Sequence, residues 1–84
     1  MNPSKQHTET RILKILSDLS AVPTSEIRPE DRLREDLGLD SVSSMELVSM
    51  LSETFAIDVE LEEAVRITDV AGLMALAERR IGDA

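Results

Sequence analysis

Cysteine is missing from this 84-residue chain, and so are tryptophan and tyrosine. Without cysteine the chain forms neither a disulfide nor a thiolate metal site. With Phe55 as its single aromatic residue, it lacks the stacking surfaces that bind single-stranded nucleic acid. No apolar run approaches the ~20 residues that a membrane-spanning helix needs, and residues 1–7 lack the apolar stretch of a signal peptide. We therefore expect a cytoplasmic protein without a membrane span.

Basic residues are absent from the middle of the chain. Residues 35–65 contain nine acidic side chains and no Lys or Arg, so this segment accounts for the formal net charge of −8. Such a charge argues against nucleic acid as a partner, because phosphates would be repelled. Most acidic runs are only solvated surface, but the same charge fits a docking surface for enzymes with basic patches. The motif inside the run, described below, favours docking.

Apolar residues recur at the spacing of a helical face in most of the chain. Four helices are predicted, at about residues 4–20, 41–55, 61–66 and 69–80. The first could instead start at Thr8, and it stops at Val22-Pro23, because proline disfavours helical geometry in the residue before it. Thr68 or Asp69 caps the last helix. The sequence thus predicts an all-α fold, a small four-helix bundle of three longer helices and one short helix.

We expect a single domain over residues 1–84, with loose ends at about 1–7 and 82–84. The predicted core residues are Ile12, Ile15, Leu16, Leu19, Leu47, Val48, Leu51, Phe55, Val70, Leu73, Met74 and Ala77. A long loop, residues 21–39, joins helices one and two. Its expected apolar anchors are Ile27, Leu33, Leu37 and Leu39, with a helical turn near Asp31–Glu35. Residues 56–60 alternate like a strand but have no partner strand, so we predict an extended loop.

Asp40 and Ser41 stand where the second helix begins. Asp40 is a good N-cap, because its carboxylate can accept the unpaired N–H groups of the first turn. Ser41 falls in that first turn, at the positive end of the helix dipole. A phosphate attached to Ser41 would be stabilised by the dipole and by the backbone N–H groups. An isolated Asp-Ser pair, however, is usually nothing more than a cap.

The neighbouring residues favour more than a cap. The sequence reads DLGLDSV at residues 36–42, ELV at 46–48 and ITDV at 67–70. From about residue 12 to residue 76 this pattern resembles the acyl carrier protein family. In that family the serine of an Asp-Ser-Leu motif carries 4′-phosphopantetheine as a phosphodiester. The resemblance implies that Ser41 is the cofactor-binding residue and that 4′-phosphopantetheine is bound covalently. Val42 stands where the family usually has leucine.

The resemblance also implies a function. A family member is a carrier, not an enzyme, and holds acyl or related intermediates of fatty acid, polyketide or other specialised biosynthesis as a thioester. Its partners would be a phosphopantetheinyl transferase and acyl- or aminoacyl-loading and acyl-processing enzymes, and we expect a monomer. Fatty-acid-synthesis members usually have an acidic second helix. This chain instead has serines there, at positions 43, 44, 49 and 52, which points to a specialised member.

Other functions fit the residues less well. A non-enzymatic acidic helical interaction module without a prosthetic group would share the bundle and the charge, and Ser41 would then be dispensable. A serine hydrolase needs an oriented base, and the only histidine, His7, lies near the terminus. The loop after Asp36 does not match the EF-hand pattern, so we predict no metal site.

Two sets of apolar residues are expected to have a functional role. Val42 and Met45 lie off the face of Leu47 and Leu51, so they are either peripheral core or a partner contact, and we favour the contact. Bound cargo is expected to be sheltered among apolar residues, namely Leu51, Ile67 and Met74.

Overall fold

The computed structural model of the chain describes residues 3–83, and the side chains of residues 7–82. It contains four α-helices: α1 (Pro3–Ser20), α2 (Ser41–Phe55), α3 (Leu61–Val65) and α4 (Val70–Asp83). The described residues form no strand, and their single β-bridge joins Arg32 to Asp69. The predicted all-α bundle with one short helix is therefore confirmed. No helix within residues 3–83 is long and apolar enough to cross a membrane.

Both ends of the described chain are helical where the sequence predicted loose residues. Within the described residues α1 runs from Pro3, before either predicted start, and proline is tolerated in a first helical turn, where its missing N–H would have no partner. α4 runs past Arg80 to Asp83, and Ile81 packs against buried residues in that extra turn. The helices are therefore longer at these ends than the sequence predicts, and the looseness of the ends stays a prediction. Residues 1, 2 and 84 lie outside the described residues.

The core has two adjoining parts. The larger lies between α1, α2, α4 and the long loop, with Ile12, Leu16, Leu51 and Val70 among its fully enclosed side chains. The smaller consists of Ile57, Val59 and Leu76. Leu76 was not predicted to be buried. It packs with Ile57 and Val59 from the segment after α2, and its spacing of three from Leu73 was the available signal.

Phe55 faces the core, as predicted, but is only half-buried rather than buried. It is the last residue of α2 and touches both parts of the core. The guanidinium carbon of Arg11 lies 5.5 Å from the centre of its ring. At this distance a cation is attracted to the face of an aromatic ring. Three other predicted core residues are half-buried as well, namely Leu19, Val48 and Met74.

The loop between α1 and α2 is held by its apolar side chains, as predicted. Ile27, Leu33, Leu37 and Leu39 are all buried. The expected helical turn lies slightly later than predicted, since the N–H of Asp36 bonds to the carbonyl of Arg32. A 3₁₀ turn at Thr24–Glu26 was not foreseen. These anchors leave the loop little freedom, and they fix the place where α2 begins.

Backbone hydrogen bonds tie this loop to the start of α4. The N–H of Leu33 donates to the carbonyl of Thr68 at 2.9 Å, and the N–H of Val70 donates to the carbonyl of Asp31 at 3.0 Å. The N–H of Ala71 donates to the carbonyl of Pro29 at 2.9 Å. The loop thus supplies acceptors for N–H groups that a helix start cannot satisfy by itself.

Candidate functional site

The start of α2 is built by a turn and a cap. Gly38 has a φ of 70°, a left-handed conformation that glycine adopts without strain. Leu39 then buries its side chain and Asp40 caps the helix. The carboxylate Oδ1 of Asp40 accepts a hydrogen bond from the N–H of Ser43 at 2.9 Å. The predicted cap is therefore present, and the helix begins at Ser41 as predicted.

The Asp40 carboxylate is directed at Ser43 rather than at Ser41. The backbone N–H of Ser43, and then its hydroxyl, lower the pKa of Asp40, because hydrogen bonds to a carboxylate favour its charged form. Asp40 therefore stays ionised at neutral pH and fixes the first turn. Asp40 thus contributes a helix cap and a negative charge to this site.

Ser41 is the exposed first residue of α2. No hydrogen bond involves its side chain within the described part of the chain. Its hydroxyl is therefore accessible to a partner enzyme. Asp40 and Ser41 lie together, as the sequence predicted, and both line a cavity that the sequence did not predict.

The cavity has a volume of about 410 Å³ and lies between α2, α3 and the first half of α4. Its interior is apolar, with Leu47 and Leu51 from α2, Ala64 from α3 and Leu73 from α4 among the lining residues. Four exposed polar residues from the end of the long loop and the start of α2 also line it, namely Arg34, Glu35, Asp40 and Ser41, and we call this group the cavity mouth. An apolar cavity lined by a few polar groups is typical of a small-molecule site.

The short helix α3 supplies one wall of this cavity. Its Leu61 and Val65 line the cavity but are also exposed, with 50% and 67% of their surfaces accessible. The sequence analysis did not assign these two residues. Their spacing of four places them on one face of a helix, and that spacing was the available signal. Only the approach of α3 to α2 reveals the cavity between them.

Two of the three residues expected to shelter cargo line the cavity. They are Leu51 and Ile67. Met74 does not line it, because its side chain packs against the larger core instead. That part of the prediction is wrong, since Met74 and Leu73 are neighbours in α4 but point in different directions.

Val42 and Met45 are surface residues. Their side chains are 65% and 59% exposed, so the alternative of peripheral core is excluded. Met45 also lines the cavity. An exposed apolar pair beside Ser41 is consistent with a contact for partner enzymes.

An ion pair joins α3 to α4 through residues that do not line the cavity. The Arg80 guanidinium donates a hydrogen bond to the Glu63 carboxylate. This hydrogen bond is the main cause of the lowered pKa of Glu63. The pair is half-buried and was not predicted, because it joins residues on different helices.

Comparison with known proteins gives the site a family. The family described as "Phosphopantetheine attachment site" matches residues 10–77. Over 66 residues the chain is 35% identical to an acyl carrier protein of Rickettsia bellii (strain RML369-C), a match that covers 79% of this chain and 77% of the relative.

A fungal polyketide synthase contains a similar segment. The chain is 34% identical over 79 residues to the non-reducing polyketide synthase sor2 of Hypocrea jecorina (strain QM6a). The match covers 94% of this chain but spans only 3% of the synthase. The likeness therefore concerns one small segment of that protein.

The fold also has a close counterpart in a crystal structure. An acyl carrier protein from Thermotoga maritima superimposes with a TM-score of 0.81, covering 98% of this chain and 95% of that one, at 22% sequence identity. At this identity the likeness concerns the fold alone. Together with the family match, which spans most of the described residues, it confirms the predicted resemblance: the chain belongs to the acyl carrier protein family, whose members bear covalent 4′-phosphopantetheine and are carriers rather than enzymes.

Proposed function

We propose that Ser41 bears the 4′-phosphopantetheine arm, with which the chain presents acyl intermediates of fatty acid or polyketide synthesis to biosynthetic enzymes. One observation carries the proposal: Ser41 is an exposed serine at the first position of α2 and lies at the mouth of an apolar cavity. Neither an interaction module without a prosthetic group nor a hydrolase needs this arrangement.

Comparison with the other serines supports the choice of Ser41. Ser25 and Ser49 are also exposed, but neither lines the cavity. Ser44 lines the cavity but is half-buried. The hydroxyl of Ser20 donates to the carbonyl of Leu16. Among residues 7–82, Ser41 is thus the one serine that combines exposure with a place at the cavity.

The site residues fit a phosphodiester-linked arm. A phosphate on Ser41 would lie at the start of α2, where the helix dipole and the first N–H groups stabilise an anion. Asp40 holds that turn rigid through Ser43. Leu47 and Leu51 supply an apolar interior next to it. When bound, the arm supplies a thiol that holds the acyl group as a thioester.

The proposed partners follow from the surface around Ser41. They are a phosphopantetheinyl transferase and acyl- or aminoacyl-loading and acyl-processing enzymes. Val42 and Met45 offer an exposed apolar contact, and the acidic run at residues 35–65 attracts basic patches. With serines at four positions of α2, this contact depends more on apolar packing than on charge, which suits a specialised pathway.

The remaining parts of the proposal concern the state of the protein. The chain acts as one carrier domain, since Phe55 and Ile67 pack against both parts of the core. It works as a monomer in the cytoplasm, a location with which the lack of cysteine is consistent.

Intact mass spectrometry tests the attachment directly. Incubation with coenzyme A, magnesium and a broad-specificity transferase should add one phosphopantetheine to the wild-type protein and none to Ser41→Ala. Ser49→Ala is the matched control, since it removes an exposed hydroxyl from the same helix and should be modified like the wild type. Modification that persists in Ser41→Ala would contradict the assignment of Ser41 as the attachment site.

A further inference from the structure

Arg34 has an unusual position in the charge distribution. It is the last basic residue before the acidic run at residues 35–65. Among the described residues that line the cavity, it is also the only one with a basic side chain. Glu35 and Asp40 share the cavity mouth with it. The cavity mouth therefore contains one basic side chain and two acidic side chains together with Ser41.

The Arg34 guanidinium is not engaged elsewhere. Arg32, two residues earlier, lies near two carboxylates, with its Nε 3.9 Å from Glu35 and 3.6 Å from Asp36. No ion pair in the described part of the chain involves Arg34. Its side chain is exposed. The charge of Arg34 is therefore available to a ligand at the cavity mouth.

The backbone of Arg34 is nevertheless fixed. Its carbonyl accepts a hydrogen bond from the N–H of Gly38 at 3.1 Å. The preceding Leu33 is buried, and its N–H donates to the carbonyl of Thr68. The long side chain thus extends from a rigid turn, which reduces the entropy lost when it binds an anion.

We propose that Arg34 is the counter-ion of the arm's phosphodiester and so positions the root of the arm at the cavity mouth. The inference rests on the proposed attachment at Ser41. A phosphate on Ser41 is bonded directly to the serine oxygen, so it stays at this mouth. The carboxylates of Glu35 and Asp40, which line the same mouth, carry charge of the same sign and repel it. A guanidinium offsets that repulsion and matches two phosphate oxygens at once.

The proposed partner of Arg34 is the phosphate of the arm, whatever the charge of the acyl cargo. The acyl group is at the distant end of the arm, whereas the phosphate is tied to Ser41. The phosphate is therefore the anion whose position the fold restricts most. Since the ion pair would be exposed, its effect should be modest and should weaken with salt.

Three variants, each prepared with and without the arm, test the proposal. Arg34→Gln removes the charge but keeps a long polar side chain, and Arg34→Lys keeps the charge without the planar fork. Arg28→Gln is the matched control, because Arg28 is exposed on the same loop but does not line the cavity. Circular dichroism of the arm-free proteins verifies that all three fold.

Two measurements then compare the forms. The ³¹P resonance of the arm should shift in Arg34→Gln and keep its wild-type position in Arg28→Gln. The change in melting temperature on adding the arm should be roughly 1–5 °C more negative in Arg34→Gln than in the wild type at low salt. This difference should vanish at high salt, and the change in Arg34→Lys should lie between the two.

The outcomes separate this proposal from the attachment itself. If intact mass shows no arm on the wild type, or an arm on Ser41→Ala, both proposals fall. If Ser41 carries the arm but the ³¹P resonance and melting shift of Arg34→Gln equal those of the wild type, only the role of Arg34 falls. It also falls if Arg28→Gln changes both readouts as much, since the effect would then be one of net charge.

Discussion

The starts of α2 and α4 use the same cap but have opposite surroundings. Asp40 accepts from the N–H of Ser43 at 2.9 Å, and Asp69 accepts from the N–H of Gly72 at 2.8 Å, in each case three residues later. The start of α4 is then closed by the long loop, whose carbonyls accept from the first two N–H groups of that helix. The start of α2 receives no such acceptors from another segment within residues 3–83.

The third helical residue reflects this difference. A Cβ on Gly72 would lie 3.0 Å from Oδ1 of Asp69 and 3.4 Å from Ile67, so the crowded start of α4 favours glycine. At the equivalent place in α2 the residue is Ser43, and its hydroxyl adds to the interactions with Asp40. The comparison shows that one cap closes a structural joint, whereas the other leaves a helix start open to solvent beside Ser41.

The largest expected effect concerns the buried face of α2, which must hold this helix in place because its start is open to solvent. Leu51 is 1% exposed, so Leu51→Ala should reduce the free energy of unfolding by about 2–5 kcal/mol through lost burial and a cavity. Met45→Ala on the exposed face should change it by less than ~0.5 kcal/mol. Urea denaturation measures both. An unchanged midpoint for Leu51→Ala would mean that the core face of α2 is assigned wrongly.

Removing each cap in turn tests the difference between the two helix starts directly. Asp69→Ala should reduce the free energy of unfolding by about 0.5–2 kcal/mol, the usual contribution of an N-cap. The loss from Asp40→Ala should be smaller, because no other segment docks on that exposed start. Asn variants keep a capping oxygen and serve as controls in the same denaturation series. Equal losses at the two positions would show that the closed start gains nothing from the loop.

A charge beside the open start should leave the fold intact. Val42→Asp should change the free energy of unfolding by less than ~0.5 kcal/mol, since the side chain is exposed. It should strongly slow transfer of the arm, because a charge would enter the apolar centre of the partner contact. Ala75→Asp is the control, because it places the same charge on the exposed surface of α4. This variant should receive the arm at the wild-type rate. Equal rates for both variants would remove Val42 from the contact.

The smallest effect concerns pH. The folded pKa of Asp40 is lowered by Ser43, so its contribution to stability is complete above the unfolded value of ~3.9 and is lost as pH falls through the folded value. Carbon-13 NMR of the carboxyl group should give a titration midpoint below ~3.9. In Ser43→Ala the midpoint should rise partway, because the backbone donor remains. A wild-type midpoint at or above the unfolded value would contradict the cap.

Local signals in the sequence predicted the open start well. Both bounds of α2 agree with the structure, because Asp40 is a strong cap and the helical period persists up to Phe55. The buried loop anchors were equally predictable, since isolated apolar residues in a long connection need somewhere to pack. The family pattern around Ser41 depends on consecutive residues, which is why it was visible without coordinates.

Features that depend on distant segments were not predictable. The cavity requires α3 to approach α2, and the Glu63–Arg80 pair joins two helices. Met74 was expected to shelter cargo and Phe55 to be buried, because periodicity gives a helical face but not the neighbours of that face. The place of Arg34 at the cavity mouth likewise follows from the turn that presents it, not from its sequence context.

The hydrogen bonds between the long loop and α4 have a consequence for folding kinetics. Val70 and Ala71 find their acceptors in a segment that precedes α2, so the first turn of α4 matures only after distant parts of the chain have met. Such non-local closure slows folding relative to a bundle with purely local contacts. It also makes the loop and the start of α4 one cooperative unit, whose amides exchange with solvent together. The first turn of α2, by contrast, can open and close without unfolding that unit.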